Sequence, residues 1–218
     1  EMGCSLQIPP ALRGSKHYGE IRGCYFGPAG NVAHRTVRSV DGRIFECDVD
    51  AFDAERDAYP YRENSFDVVL CTELFEHLGY DPMHCLFEIH RILKPGGHLL
   101  LSTPNACSLR AIAAILGQYH PGFFPPFMRP TATGEVDPRH HREYAPREIE
   151  MALIGAGFAV EQLRTAPYWS APEPQHAWVQ HLLERYEFDR NLRAECIFAL
   201  ARKAGTPVNR YPDWLYYG

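Results

Sequence analysis

The chain has 218 residues, of which 45% are hydrophobic and 22% charged, and its net charge is −5 at pH 7. This length and balance suit one globular domain with its own core, and the acidic charge argues against nucleic acid or an anionic membrane as partners. The seven cysteines include no CxxC pair, which favours reduced thiols and a cytoplasmic location.

The first third of the chain predicts short strands. Glu1–Cys4 has the pattern of a strand end, and Glu20–Tyr25 and Gly42–Cys47 are short apolar runs bounded by glycine or by polar residues. Because the chain starts at the end of its first strand, we expect residues upstream of Glu1, or another segment, to complete that strand.

Residues 66–105 carry the strongest pattern. Phe66–Cys71 and Leu99–Ser102 are short buried strands, and an amphipathic helix over 81–93 lies between them. Asp81 is placed to cap this helix, and Lys94–Gly97 ends it with a turn. Two strands joined by a helix form a βαβ unit, which builds parallel sheets whose ligands lie beyond the carboxyl ends of the strands.

The rest of the chain predicts two helices and a closing pair of strands, separated by a proline-rich loop and followed by an aromatic tail. The loop is too rich in proline for a helix or a central strand. These segments are the helices 106–117 and Pro146–Ala156, the strands Phe158–Arg164 and Glu195–Arg202, the loop 118–144 and the tail 205–218.

The sequence of residues 66–105 contains FDVVLCTELFEHL followed by LKPGGHLLLSTPN. It resembles the second half of class I S-adenosylmethionine-dependent methyltransferases, in the branch often associated with sugar and natural-product biosynthesis enzymes. The resemblance extends from Glu1 to about Lys203. It implies a single α/β domain with a Rossmann-like, doubly wound, mostly parallel sheet and an antiparallel last strand. It also implies methyl transfer from S-adenosylmethionine to a small-molecule or carbohydrate-like acceptor, expected at oxygen.

In such a family the first strand ends in a glycine-rich loop that lets the backbone approach the cofactor. Glu1 and Gly3 match that pattern, Ser5 is a small replacement for glycine, and Gln7 is a bulkier one. The second strand usually ends in an acid that binds both ribose hydroxyls. Tyr25 stands there instead, and it offers stacking or one hydrogen bond.

The resemblance places Asp48 at the adenine amino group and Val49 against the ring. The alternative for Asp48 is a turn residue that satisfies local backbone. At the end of the fourth strand, Thr72 and Glu73 are expected to line the methionine end of the cofactor. Glu76 and His77 also match the family, although a Glu or His at a helix start is often a cap.

The acceptor side is expected in the string Arg139-His140-His141-Arg142-Glu143-Tyr144. An alcohol acceptor needs a base, so we predict that His140 or His141 removes its proton. Arg139 or Arg142 would orient an anionic or polyhydroxylated acceptor. The alternative is a salt-bridged corner that fixes the loop to the sheet, with Tyr144 in the core.

Phe124 belongs to an aromatic segment that we predict to be a lid over the acceptor; the alternative is a loop packed on the domain. A metal site built from Asp137, His140, His141 and Glu143 lacks the spacing of known carboxylate–histidine sites, so we expect no metal. The tail 205–218 either docks on its own domain or forms a homodimer contact.

Two other functions compete with the enzyme hypothesis. The departures at Gln7 and Tyr25 fit a non-catalytic, methyltransferase-like binding or scaffold protein. A nicotinamide-dependent oxidoreductase shares the architecture, but it ranks last because the full G-x-G-x-x-G pattern and a ribose acid are absent.

Overall fold

The fold is given by a computed structural model, which describes residues 1–3, 8, 19–38, 42, 44–123, 140–168 and 174–218. Strands and helices alternate through most of this part of the chain. The strands are β1 Gly23–Tyr25, β2 Val32–Arg38, β3 Ile44–Ala51, β4 Phe66–Thr72, β5 Leu93–Pro104, β6 Phe158–Ala166 and β7 Cys196–Lys203. The helices are α1 Pro82–Ile92, α2 Leu109–Leu116, α3 Pro146–Gly155 and α4 Ala177–Arg185, with 3-10 turns at Phe75–His77 and Pro174–His176.

The strands form a three-stranded sheet in the order β1-β3-β2 and a four-stranded sheet in the order β4-β5-β7-β6. β1 is parallel to β3 and β4 is parallel to β5, whereas β7 runs antiparallel between β5 and β6. The backbone of Glu1 and Met2 lies between the two sheets, because Met2 N donates to Leu70 O (2.7 Å) and Cys24 N donates to Glu1 O (2.9 Å). The predicted Rossmann-like class, with its antiparallel last strand, is confirmed.

Helix α1 begins and ends close to the predicted positions. The Asp81 side chain accepts a hydrogen bond from His84 N (3.1 Å), and Pro82 occupies the first helical position, where its missing N–H costs nothing. One face of the helix is buried in the main core against β4 and β5. Its buried apolar side chains are Met83, Cys85, Leu86, Ile89 and Ile92.

The structure adds elements that the sequence analysis did not predict. Strand β2 pairs antiparallel with β3, but its sequence, VAHRTVR, has no regular apolar alternation. Helix α4 buries only Val179 and Leu183, too few for a clear helical pattern. Strand β3 also runs to Ala51, four residues beyond the predicted end at Cys47.

The C-terminal tail docks on its own domain. Tyr216 OH donates to Asp81 Oδ1 (2.5 Å), Arg210 Nη1 donates to the same oxygen (2.7 Å), and Trp214 and Leu215 pack against the main core. Asp81 therefore caps α1 and anchors the tail at once. Among the helices that the structure describes, none is long and apolar enough to span a bilayer.

Candidate functional site

The site lies where the parallel strands end. Met2 forms a parallel bridge to Cys71, so Gly3 emerges beside the end of β4. Gly3 adopts a left-handed backbone (φ 63°), and a Cβ there would lie 3.4 Å from Leu74 Cδ1. A side chain at position 3 would thus be strained and crowded. The bare backbone fits a ligand that approaches the end of this strand closely.

Glu73 directly follows β4 and also has a left-handed backbone, with φ 50°. Its amide donates to Ser102 O (3.0 Å), and its carboxylate accepts from Ser102 Oγ (2.7 Å), from Cys196 Sγ (3.3 Å) and from Tyr168 OH. Burial and the hydrogen bond to this carboxylate raise the pKa of Tyr168. Glu73 is thus held by donors from three strands or strand ends, which fixes its carboxylate at the edge of the sheet.

Glu76 lies in the 3-10 turn after β4 and is buried, with 1% of its surface exposed. Thr103 Oγ1, near the end of β5, donates to Glu76 Oε2 (2.9 Å). Burial, followed by the charge of Glu73, raises the pKa of Glu76 to about 7. A carboxyl group with a pKa near neutrality is a common feature of catalytic sites.

Two histidines face Glu76. His77 Nε2 lies 3.9 Å and His140 Nε2 4.0 Å from Glu76 Oε1, and the two rings meet edge to face with centroids 4.7 Å apart. On its other side, His140 Nδ1 lies 3.3 Å from Glu143 Oε1. Burial lowers the pKa of His140, but the hydrogen bond to Glu143 and the charge of Glu76 outweigh it, so the pKa is raised.

The segment after the proline-rich loop reaches this edge through its backbone. His141 N (2.8 Å) and Arg142 N (3.3 Å) both donate to Glu76 O. Gly79 allows this approach, because a Cβ at that position would lie 2.6 Å from the His141 ring. The two neighbouring histidines are therefore separated: His140 joins Glu76 and His77, whereas His141 is exposed outside that group.

Arg142 is engaged elsewhere. Its Nη2 donates to Glu148 Oε1 (2.6 Å), and its guanidinium lies 5.4 Å from the centre of the Tyr144 ring. Tyr144 is buried and packs on Phe75. For these residues the geometry matches the structural alternative, a salt-bridged corner with Tyr144 in the core, and the acceptor-binding role of Arg142 stays a prediction.

The predicted adenosine residues lie at different distances from the sheet edge. Tyr25 ends β1 and is exposed. Asp48 lies within β3, three residues before its end, which is roughly 10 Å along the strand. Its carboxylate pairs with His34 Nδ1 (2.8 Å). Val49 is buried in a small cluster on the three-stranded sheet. Asp53, which was not predicted, follows the end of β3 and stands where Asp48 was expected.

The strand is longer than predicted because β2 pairs with β3 along its whole length, up to Val32↔Asp50. The predicted positions of Asp48 and Val49 after the strand end are thus wrong. Their cofactor roles stay predictions.

Three predicted residues, Ser5, Phe124 and Arg139, lie outside the described residues. Glu1 lines a narrow groove between β1 and β4. Val68 and Ile92 line this groove, and both lie toward the opposite edge of the sheet. The groove therefore extends from Glu1 toward the opposite edge of the sheet.

Comparisons with known proteins give the site a family context. Residues 29–101 match the family model described as a methyltransferase domain. The chain is similar to a ubiquinone biosynthesis O-methyltransferase of Acinetobacter baumannii (strain SDF), with 27% identity over 126 residues that make up 55% of this chain and 49% of that protein. A protein of the same description from Pseudomonas paraeruginosa is 42% identical over 52 residues, 24% of this chain and 22% of that one. The chain spans about half, or less, of the length of these curated relatives.

Solved structures agree on the fold. An S-adenosylmethionine-dependent methyltransferase from Methanosarcina mazei aligns with a TM-score of 0.51 at 14% identity, over 93% of this chain and 90% of that one. A second from Archaeoglobus fulgidus aligns with a TM-score of 0.50 at 17% identity, over 93% and 84%. The methyltransferase domain match over residues 29–101 and the shared fold agree with the predicted methyltransferase family.

Proposed function

We propose that the chain is an S-adenosylmethionine-dependent methyltransferase that methylates a hydroxyl group of a small-molecule or carbohydrate-like acceptor. The observation that supports this most is the meeting of Glu76, His77 and His140 at the sheet edge that also carries Gly3 and Glu73. A cofactor at the strand ends would then lie beside polar groups able to activate an acceptor.

For the cofactor, we assign the methionine part to the backbone at Gly3 and to Glu73, and the ribose to the edge near Glu1 and Tyr25. We assign the adenine to Asp53 in place of Asp48, because Asp53 follows the strand end. When bound, S-adenosylmethionine supplies a methyl group on a positively charged sulfur, which is the electrophile of the reaction.

The acceptor hydroxyl would lie against the Glu76–His77–His140 cluster. The carbon–sulfur bond breaks as the carbon–oxygen bond forms, sulfur keeps the electron pair, and the hydroxyl proton must leave. Positioning the hydroxyl about 3 Å from the methyl carbon and removing this proton are the tasks of the protein. Of the two predicted bases, His140 is the one whose ring belongs to the cluster.

Calorimetry with S-adenosylmethionine and S-adenosylhomocysteine tests the proposal directly. We expect micromolar binding of both by the chain. Asp53→Ala should weaken it about tenfold or more, since a hydrogen bond to a charged acceptor contributes roughly 1.5–3 kcal/mol. Asp48→Ala is the matched control and should bind within about twofold of the unsubstituted chain, a difference of under ~0.5 kcal/mol.

The outcome decides between the competing functions. Absence of binding by a protein with a folded circular dichroism spectrum would favour the non-catalytic scaffold, for which the lack of an acid at Tyr25 is the supporting observation. Loss of binding in Asp48→Ala but not in Asp53→Ala would return the adenine to the originally predicted residue.

A further inference from the structure

The Glu76–His77–His140 cluster has the composition of a metal site. One ligand atom from each residue lies within 4.8 Å of the other two. The two Nε2 atoms lie 3.9 and 4.0 Å from Glu76 Oε1, too far for direct hydrogen bonds. Ligands bound at ~2.1 Å to one ion lie about 3–3.5 Å apart, so side-chain shifts of up to roughly an ångström would let all three bind it.

The charge around the cluster favours a cation. Glu73, Glu76 and Glu143 bring three carboxyl groups to this part of the edge, and Glu76 is 1% exposed. Among the described residues, no lysine or arginine forms an ion pair with any of the three; the ion-pair partners of Glu76 and Glu143 are histidines. Buried carboxylates ordinarily need a cation or a metal to balance them.

A second observation comes from outside the three ligands. Glu143 is 8% exposed at its side chain, and its Oε1 lies 3.3 Å from His140 Nδ1. Its Oε2 is buried and has no hydrogen-bond partner among the described residues. A carboxylate that accepts from one ring nitrogen fixes the histidine so that the other nitrogen binds the metal. Here that other nitrogen is His140 Nε2, which faces Glu76.

We propose that Glu76, His77 and His140 bind a divalent transition-metal cation of the Zn²⁺ type, with Glu143 as the positioning residue behind His140. Two imidazoles and one carboxylate leave coordination positions open, as in catalytic zinc sites. This set differs from the sequence-based one, since it shares only His140 with it. Glu76 and His77 come from the 3-10 turn after β4, far in sequence from the segment on which the expectation of no metal was based.

The proposal rests on the proposed function for its consequence. A cation in the cluster would bind the acceptor hydroxyl oxygen and lower its pKa, as bound cations do for water. The hydroxyl proton then passes to solvent, and His140 acts as a metal ligand instead of the base. The expected acceptor is therefore a hydroxyl group that can reach a cation in the cluster. A protonated amine would be repelled by that cation.

Cobalt titration tests the site without using activity. The full chain is stripped with EDTA and titrated with Co²⁺, whose visible absorption bands report coordination by nitrogen and oxygen. Zn²⁺ then competes in equilibrium dialysis. We expect one equivalent of metal bound with micromolar affinity. His77→Ala, His140→Ala and Glu76→Gln should each weaken it at least tenfold, and Glu143→Gln about 10–100-fold.

His98→Ala is the matched control, because His98 also pairs with a glutamate (Glu161, 3.3 Å) but lies at the start of the strand pairing, away from the site. It should leave the cobalt spectrum and affinity unchanged. Equal affinity in the control and in both His77→Ala and His140→Ala, with circular dichroism showing folded proteins, would overturn the proposal. The proposal would also be overturned if the unsubstituted chain bound less than about 0.1 equivalent of Co²⁺ at a free Co²⁺ concentration about ten times the expected micromolar Kd.

Calorimetry separates this failure from failure of the proposed function. Cofactor binding without metal binding would refute the cation and leave His140 as the base. Metal binding without cofactor binding would support the site while refuting the methyltransferase.

Discussion

Asp48 and Glu76 are carboxylates on the two sheets of the same molecule, yet they meet opposite environments. Asp48 is on the three-stranded sheet, half exposed, beside His34 and Arg22. Glu76 follows the four-stranded sheet, is buried, and has Thr103 and histidines as its partners. The hydrogen bond from His34 lowers the pKa of Asp48, whereas burial raises that of Glu76 to about 7. The difference in solvent exposure therefore explains why Asp48 stays ionised at neutral pH whereas Glu76 has a raised pKa.

The two halves also differ in their cores. The main core, on the four-stranded sheet, contains most of the buried side chains of the described chain, whereas the three-stranded sheet has a cluster of Phe45, Cys47 and Val49 with Ile21 packed on it. A small cluster loses fewer contacts when a side chain is shortened, and its neighbours relax more easily. The three-stranded half should therefore tolerate change better than the four-stranded half.

A matched valine pair tests this difference most strongly. Val69→Ala, in β4, should lower the free energy of unfolding by about 2–3 kcal/mol, and Val49→Ala, in β3, by about 1 kcal/mol. Each substitution removes the same two methyl groups, and the two side chains are similarly buried, at 5% and 7% exposure. Urea unfolding followed by circular dichroism measures both values. A larger loss for Val49→Ala would contradict the ranking of the two cores.

Asp81 provides a test of intermediate size. Asp81→Asn keeps a helix cap but loses the charged acceptor for Arg210 and Tyr216, and should cost about 1–2 kcal/mol. Asp213→Asn, at an exposed tail position, is the control and should stay within about 0.5 kcal/mol. Equal losses in the two variants would show that the destabilisation is not specific to the contacts of Asp81 with Arg210 and Tyr216.

The same residue gives a pH dependence. Burial raises the pKa of Asp81, but hydrogen bonds from Arg210 and Tyr216 outweigh it and leave the pKa below 3.8. The stabilisation is therefore fully present above pH ~4 and lost as pH falls through the lowered pKa. Unfolding measured between pH 7 and pH 3 should show the difference between the chain and Asp81→Asn shrinking at the acid end. A constant difference would contradict it.

The smallest expected effect lies on the exposed sheet. The hydrogen bond to Asp48 raises the pKa of His34 above 6.5. Any stabilisation from this pair is present below pH ~6.5 and disappears as pH rises through the folded-state pKa. NMR titration of the His34 ring should give a pKa above 6.5, and Asp48→Asn should lower that pKa toward the ordinary value. An unchanged titration in Asp48→Asn would show that the two side chains do not pair in solution.

The same contrast between the sheets explains what sequence could predict. The βαβ unit at 66–105 was visible because buried strands and an amphipathic helix leave periodic apolar patterns. Strand β2 could not be predicted, because it is mostly exposed and pairs with β3 through backbone hydrogen bonds. Without β2, the end of β3 was placed four residues early, and Asp48 was predicted to follow the strand although it lies within it.

Within the site, Thr72, Glu73, Glu76 and His77 were visible because they directly follow a recognisable strand. Tyr168 was not identified, since its contact with Glu73 depends on tertiary structure over 95 residues of chain. His140 and His141 are neighbours in sequence, and only the backbone contact to Glu76 O and the bare Gly79 show which ring turns inward.

The double use of Asp81 bears on how the chain should be cut and fused for laboratory work. Tyr217 is fully exposed. The Tyr216 hydroxyl, by contrast, donates a hydrogen bond to Asp81 and accepts one from Met83 N (3.0 Å). A tag or fluorescent protein joined after Gly218 should leave the domain intact. Trimming only three residues further would remove Tyr216 and disturb a helix start more than 130 positions away, so a shortened expression boundary would damage the fold from its end.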